Sequence, residues 1–275
     1  MIFKDKYWIR RGNDKVISYI GSPLENNVEK KQIRKMLRQR KAWFAMWNYA
    51  SDFDSKGNWY RCICDIKEYS DNSIRSSNVR HNLRRSLKRC LIKKIDISWL
   101  ATNGYEVYLK ASSNFKNFNT LSLENYKNEM LENLKYDNRI AYGAFLEEKL
   151  IAYITLIICE DSIFGDTAFF DPDYSNAYPM YGLYFTVARD ALSAGYSAFD
   201  RGTKPLFHET EIDSFLLRLG FRLSYCKLGF YALPPFNIAI ILFKIIFDIF
   251  PKLKYHKYSK SIYALVNAYE IANSS

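Results

Sequence analysis

Several catalytic signatures are missing from this chain, and each absence removes a chemistry. It has no GxxxxGK[ST], no GxGxxG, no HExxH and no GxSxG, so phosphate-loop hydrolysis, Rossmann redox chemistry, zinc proteolysis and α/β-hydrolase catalysis all lack their motif. Cysteine is sparse and odd in number. Cys62, Cys64, Cys90, Cys159 and Cys226 contain no CxxC pair, which argues against a structural zinc site and against a disulfide framework. They read as reduced thiols, and no metal is expected. Cys62 and Cys64 stand two apart in a strand-like run, so they share one face and suit a core position.

Long hydrophobic runs are also missing. The N-terminal stretch MIFKDKYWIRRGNDKV is interrupted by charge and has no signal-peptide core. The one membrane-like segment, Phe236 to Phe250, carries Lys244 and Asp248 and falls short of the ~20 apolar residues that a spanning helix needs. A cytoplasmic chain without a spanning helix is therefore expected. Pro234, Pro235 and Pro251 bracket that segment, and Lys252, Lys254, His256, Lys257 and Lys260 follow it, which describes a short apolar helix with a basic tail. Two readings stay open for residues 236 to 260: a helix docked on the protein's own core, or one lying in an anionic membrane interface, peripheral on the inner face.

What is present is a core-forming composition. With 48% hydrophobic and 17% aromatic residues, a chain of 275 residues buries a substantial interior, as one large domain or two fused small ones. Its net charge of +11 points to polyanionic partners: nucleic acid, an anionic membrane or a phosphorylated cofactor.

Periodicity then suggests the elements. Residues 30 to 48 read as one helix with Trp43 and Trp47 on a shared face in the core. Asn58 to Asp65 is β-prone. From Ser76 to Arg89 runs a cationic amphipathic helix capped by Ser77 or Asn78, with Val79, Leu83 and Leu87 on its apolar side. Arg80, Arg84 and Arg85 on its other side are candidate anion-binding residues, for phosphate or RNA, beside the reading of an ordinary solvated face. A strand over 91–99 and helices over 103–115 and 121–136 come next. Three strands follow, 140–146, 150–158 and 162–170, as an antiparallel meander whose first turn is Glu147-Glu148-Lys149. A helix over 181–193 ends at Gly195, and the strand 196–200, a helix over 211–218 and the strand 222–233 complete the order βββαβαβ.

That order, together with the residues between its third strand and its second helix, carries a resemblance. Residues 141–221 resemble the C-terminal half of a GNAT acyltransferase. The stretch TAFFDPDYSNAYPMYGLYFTVARDALSAGYSAFDRGT resembles the acetyltransferase-like domain of Fem-type and polysaccharide-associated proteins, through Asp171, Pro172, Tyr174, Pro179, Gly195, Asp200 and Gly202. The basic helix resembles the Arg-rich helix found upstream in that group.

The resemblance implies an α+β protein with a mixed sheet. Residues 136–233 would form the GNAT-like core, residues 1–135 a degenerate GNAT-like half, and residues 234–275 an appended apolar helix and basic tail. It implies transfer of an acyl group from acyl-CoA to the amine of an amino sugar or of a lipid-linked, cell-envelope precursor. A Fem-like, aminoacyl-tRNA-dependent transferase is the alternative, although such enzymes resemble two fused GNAT domains with a helical arm. A non-catalytic protein binding lipid or nucleic acid is a third.

By the same resemblance, pyrophosphate would meet backbone amides around Tyr174, Ser175, Asn176, Tyr181 and Gly182, with Arg201 and Lys204 neutralising it; turn chemistry alone explains the same residues. The loop has no glycine before Gly182, and FLLRLG stands where relatives carry a lysine near Leu216. Base, acid and oxyanion roles would fall to Asp200, His208, Glu211 and Tyr184, grouped after an expected split between central strands.

Overall fold

A computed structural model describes residues 7–11, 15–50, 57, 59–113, 120–133, 137–203, 206, 211–256 and 259–274. Lys204 and His208, two of the candidate residues, lie outside them.

The chain opens with strands β1 (Trp8–Arg11) and β2 (Val16–Tyr19), helix α1 (Lys30–Gln39), and strands β3 (Phe44–Tyr49) and β4 (Trp59–Cys64). Helix α2 (Ser77–Arg89), strand β5 (Leu91–Ile95) and helices α3 (Ile97–Asn103), α4 (Tyr105–Ser113) and α5 (Leu123–Asn133) follow. Then come the strands β6 (Arg139–Leu146), β7 (Lys149–Cys159) and β8 (Ser162–Phe170), helix α6 (Pro179–Ser193), strand β9 (Ala198–Thr203), helix α7 (Glu211–Arg218) and strand β10 (Arg222–Ala232). Helices α8 (Phe236–Ile249) and α9 (Lys260–Asn273) close the chain.

These elements form two compact units, one of residues 1–61, 203–211 and 223–275, the other of residues 62–202 and 212–222. The boundaries expected at 135/136 and 233/234 fall inside them, because strand pairing gathers segments far apart in sequence.

In the first unit β1 pairs antiparallel with β2, β2 runs parallel to β3, and β10 pairs antiparallel with β3. The expected helix over 30–48 is corrected here. It stops at Gln39, Lys41 turns through a left-handed φ of 52°, and Phe44 to Tyr49 extend as a strand. Trp47 is buried, with its indole against Gly229 of β10, whereas Trp43 is partly exposed and stacks on Phe236 at 4.3 Å. Helices α8 and α9 belong to this unit's core: Ile240, Phe247 and Val266 pack with Phe44 and Ala232.

The second unit has three layers. β5, β6, β7 and β8 form an antiparallel meander, and β9 joins β8 in parallel. β7 is buried from Leu150 to Ile157 and mostly apolar there, as a central strand covered on both faces must be. One face packs against Val79 and Leu83 of α2 and Leu183, Tyr184 and Val187 of α6. The other packs against Leu100 of α3, Val107 and Tyr108 of α4, and Tyr126 and Met130 of α5. The hairpin between β6 and β7 turns on Glu147 and Glu148, with Glu147 at a φ of 57°. Ser76, one residue earlier than expected, caps α2 by accepting the Val79 N–H. All five cysteines are buried thiols, in no disulfide.

Candidate active site

The site is a parting between two parallel strands. β8 and β9 pair only from Ser162↔Ala198 to Phe164↔Asp200. Beyond Asp200 the strands lose register, and β8 runs on to Phe170 with its residues half-buried rather than sealed. At the same level β8 bulges: Leu156 faces Gly165 and Thr155 faces Thr167, so Asp166 is an extra residue in the ladder. The Thr155 hydroxyl repairs the gap by accepting the Thr167 N–H at 3.2 Å and lying 2.7 Å from the Thr167 hydroxyl. Asp166 is held by Arg139 across a largely buried 3.0 Å ion pair.

Three of the candidate residues meet at this parting. Asp200 is 1% exposed and accepts the Gly202 N–H at 2.7 Å, which fixes the turn of β9 where Gly202 has a φ of 111°. That carboxylate is engaged in holding the strand end. The next residue, Arg201, is only partly buried, and its side chain passes over Gly165. Its Nε donates to the hydroxyl of the fully buried Tyr184 at 2.5 Å, so α6 fixes a guanidinium at the mouth of the parting. Glu211 is the exposed first residue of α7.

The loop from β8 to α6 is where the resemblance would put a coenzyme A pyrophosphate, and several of its polar groups are engaged within the protein. The side chain of Asp171 accepts the Asp173 N–H, and the N–H groups of Tyr174, Tyr178 and Tyr181 donate to carbonyls of the same loop. Pro172 and Pro179 have no N–H to give. Lys110 of α4 is drawn into the loop, with Nζ 3.0 Å from buried Asp171 and 2.7 Å from Asp173. These hydrogen bonds raise the lysine's pKa and lower that of Asp173. Two carboxylates thus share Lys110, while Lys149, Arg85 and Arg89 bring further positive charge to the same loop.

The other loop candidates have local duties. Tyr174 lies under Lys149, exposed Ser175 and Asn176 belong to the turn, the Asn176 carbonyl accepts from Arg89, and Tyr181 packs edge-on against Phe215. Gly182 is a packing contact, since a methyl group there would strike Ser86 of α2 and Ile92 of β5.

The arginines of α2 are likewise engaged. Arg80 donates to the Ile74 and Arg75 carbonyls, Arg84 forks onto Asp71 at 2.8 and 3.1 Å, and Arg85 covers the Tyr178 ring at 5.1 Å. Arg84 remains 65% exposed on its side chain, so a ligand could still reach it.

Lys110, Asp166, Arg139 and Glu129 were missed by sequence reasoning. Glu129 of α5 has its carboxyl pKa raised by desolvation and by the negative charge of Asp166. Glu129 is exposed on its helix, and a carboxylate whose proton affinity is raised is a candidate to accept a proton. The signal for it lay in no local motif. Among the described residues, no cluster of histidine, cysteine and carboxylate side chains could hold a metal.

No protein-family model matches the chain, and no curated protein matches it. Solved structures do. FemX aligns over 80% of this chain and 77% of its own, with 10% identity and a TM-score of 0.56. L-PGS from Bacillus licheniformis aligns over 86% and 83%, with 11% identity and a TM-score of 0.54. The C-terminal domain of a putative lysylphosphatidylglycerol synthetase from Agrobacterium fabrum aligns over 87% and 83%, with 13% identity and a TM-score of 0.51. At these identities the likeness shows the fold alone: this chain shares its fold with FemX and the two lysylphosphatidylglycerol synthetase structures. It extends well beyond residues 141–221, where the sequence resemblance lay.

Proposed function

From a chain with a Fem-like, GNAT-type fold, we propose an aminoacyl transferase that moves an aminoacyl group from tRNA to an amine or hydroxyl of a lipid-linked or other cell-envelope acceptor. The observation that carries this reading is the parting of β8 from β9 beyond Asp200, with Arg201 fixed at its mouth by Tyr184. Transfer from an ester or thioester needs a donor of positive charge for the developing oxyanion and a base for the acceptor's proton. We assign the first role to Arg201 and the second to Glu129.

The donor follows from charge. The β8–α6 loop engages the amides of Asp173, Tyr174, Tyr178 and Tyr181 itself and holds two carboxylates, which weighs against a coenzyme A pyrophosphate, while a chain of net charge +11 suits a polyanion as large as tRNA. Fem-like neighbours support the same choice. Acyl-CoA remains the second reading, on the strength of the GNAT topology alone.

Calorimetric titration with aminoacyl-tRNA and, separately, with acetyl-CoA and longer acyl-CoAs tests the choice. Saturable, salt-sensitive binding of aminoacyl-tRNA with no heat from acyl-CoA is expected. Micromolar binding of an acyl-CoA, with none of tRNA, would overturn the donor, and binding of neither would overturn the transferase reading.

A further inference from the structure

Helix α8 is apolar around most of its circumference, yet it covers only one side of itself. Phe236, Ile240, Phe243 and Phe247 face inward to the core they share with Phe44 and Val266. The opposite side carries Ile238, Ile241, Leu242, Ile245 and Ile249 at spacings of three and four residues, and Phe250 follows the helix. Of these, Ile238, Leu242 and Ile249 are 58%, 56% and 62% exposed. A helix apolar all round is normally buried, and a contiguous exposed aliphatic stripe of this kind marks a surface that meets a partner.

The polar groups on and beside α8 say which partner. Lys244, one of the helix's few polar residues, is spent on Glu270 at 2.9 Å. At the helix's C-terminal end stand Lys252, which is exposed, and Lys254, whose ammonium lies over Tyr263 at 5.4 Å. Across residues 236–260 the sequence holds five lysines against one aspartate, Asp248, a surplus of four positive charges. Two copies of this chain meeting through that stripe would bring like charges together, whereas an anionic lipid surface would neutralise them. No helix among the described residues is long and apolar enough to cross a membrane.

We propose that α8 lies in the plane of an anionic membrane, its Ile238–Leu242–Ile249 stripe among the acyl chains and Lys252 and Lys254 at the headgroups. The core-facing stripe stays on the protein, so docking needs no unfolding. This inference is independent of the transfer chemistry.

The full chain is sedimented with vesicles of phosphatidylcholine alone and of phosphatidylcholine with phosphatidylglycerol, and its mass in solution is measured by light scattering. Binding to the anionic vesicles is expected, weakened by salt. Lys252→Gln with Lys254→Gln should reduce it by roughly fivefold per charge removed. Leu242→Glu with Ile249→Glu should abolish it while the melting temperature and circular dichroism stay those of the wild type. Three results would overturn the proposal: no binding to either vesicle, unchanged binding of a folded Leu242→Glu/Ile249→Glu chain, or a dimer that this double substitution dissociates.

Discussion

Arg201 and Tyr184 depend on each other. The phenol is fully buried, and the guanidinium at the mouth of the strand parting is the group that satisfies it. Tyr184→Phe should therefore cost about 1.5–3 kcal/mol of stability, the usual worth of a hydrogen bond to a charged group, measured by urea unfolding. A positioning role predicts more: kcat should fall with little change in KM, since Arg201 would still be present but no longer aimed.

Glu129 yields a prediction with an opposite sign for stability. Its folded pKa lies above the ordinary 4.5, so the folded state favours the protonated form, and that stabilisation is lost as pH rises through the folded value. At neutral pH the charged carboxylate is a cost. Glu129→Gln should leave the chain as stable as the wild type or more so, while slowing transfer about 10²–10⁴-fold and removing the acidic limb of the pH–rate profile. A slowed enzyme that keeps that limb would mean the base lies elsewhere. The thiols give a simpler case. Burial pushes Cys62 and Cys64 from 9.0 up to about 12, so both should resist a thiol reagent at pH 8 until the chain is unfolded. Their stabilising effect is complete below pH 9 and disappears towards pH 12.

Elements were legible where periodicity and punctuation agreed. The meander from β6 to β8, the basic helix, and α7 at residues 211–218 follow their sequence patterns closely. The segment 30–48 misled because it has no glycine or proline, and Lys41 takes the left-handed turn that normally advertises itself with glycine. β1, β2 and α9 had no strong local pattern. Gly182 shows how an element-scale fact overrides a local one: it looks like a phosphate-loop glycine, but it exists because α2 crosses α6 there. Gly182→Ala should then destabilise the chain by roughly 1–3 kcal/mol through overpacking against Ser86 and Ile92, measured by chemical denaturation. An unchanged midpoint would show that the two helices are free to shift.

At the scale of the whole molecule, the division into units could not be read from the sequence, because it rests on pairings such as Trp47 with Gly229. The same distance explains why Lys110, which bonds to Asp171 sixty-one residues away, gave no signal. The C-terminal helices are the clearest consequence. Removing residues 236–275 takes Ile240, Phe247 and Val266 from the core beside Phe44. At ~2–5 kcal/mol for each large buried side chain, that approaches the ~5–15 kcal/mol stability of a whole domain. The truncated chain should lose its cooperative thermal transition, so the membrane proposal is tested by substitution on the full chain.

The central claim is that the parting of β8 and β9 transfers an aminoacyl group with Arg201 at its mouth, and single-turnover kinetics address it most directly. Aminoacyl-tRNA labelled in the amino acid would be mixed with excess protein and a lipid-linked amine acceptor, and the label followed into the acceptor for the wild type, Arg201→Lys and Arg201→Ala. The account predicts transfer by the wild type, partial rate with lysine and a loss of about 10²–10³-fold with alanine, the usual effect of deleting an oxyanion donor. Transfer at the wild-type rate in a folded Arg201→Ala chain, or no transfer by any of them, would contradict it.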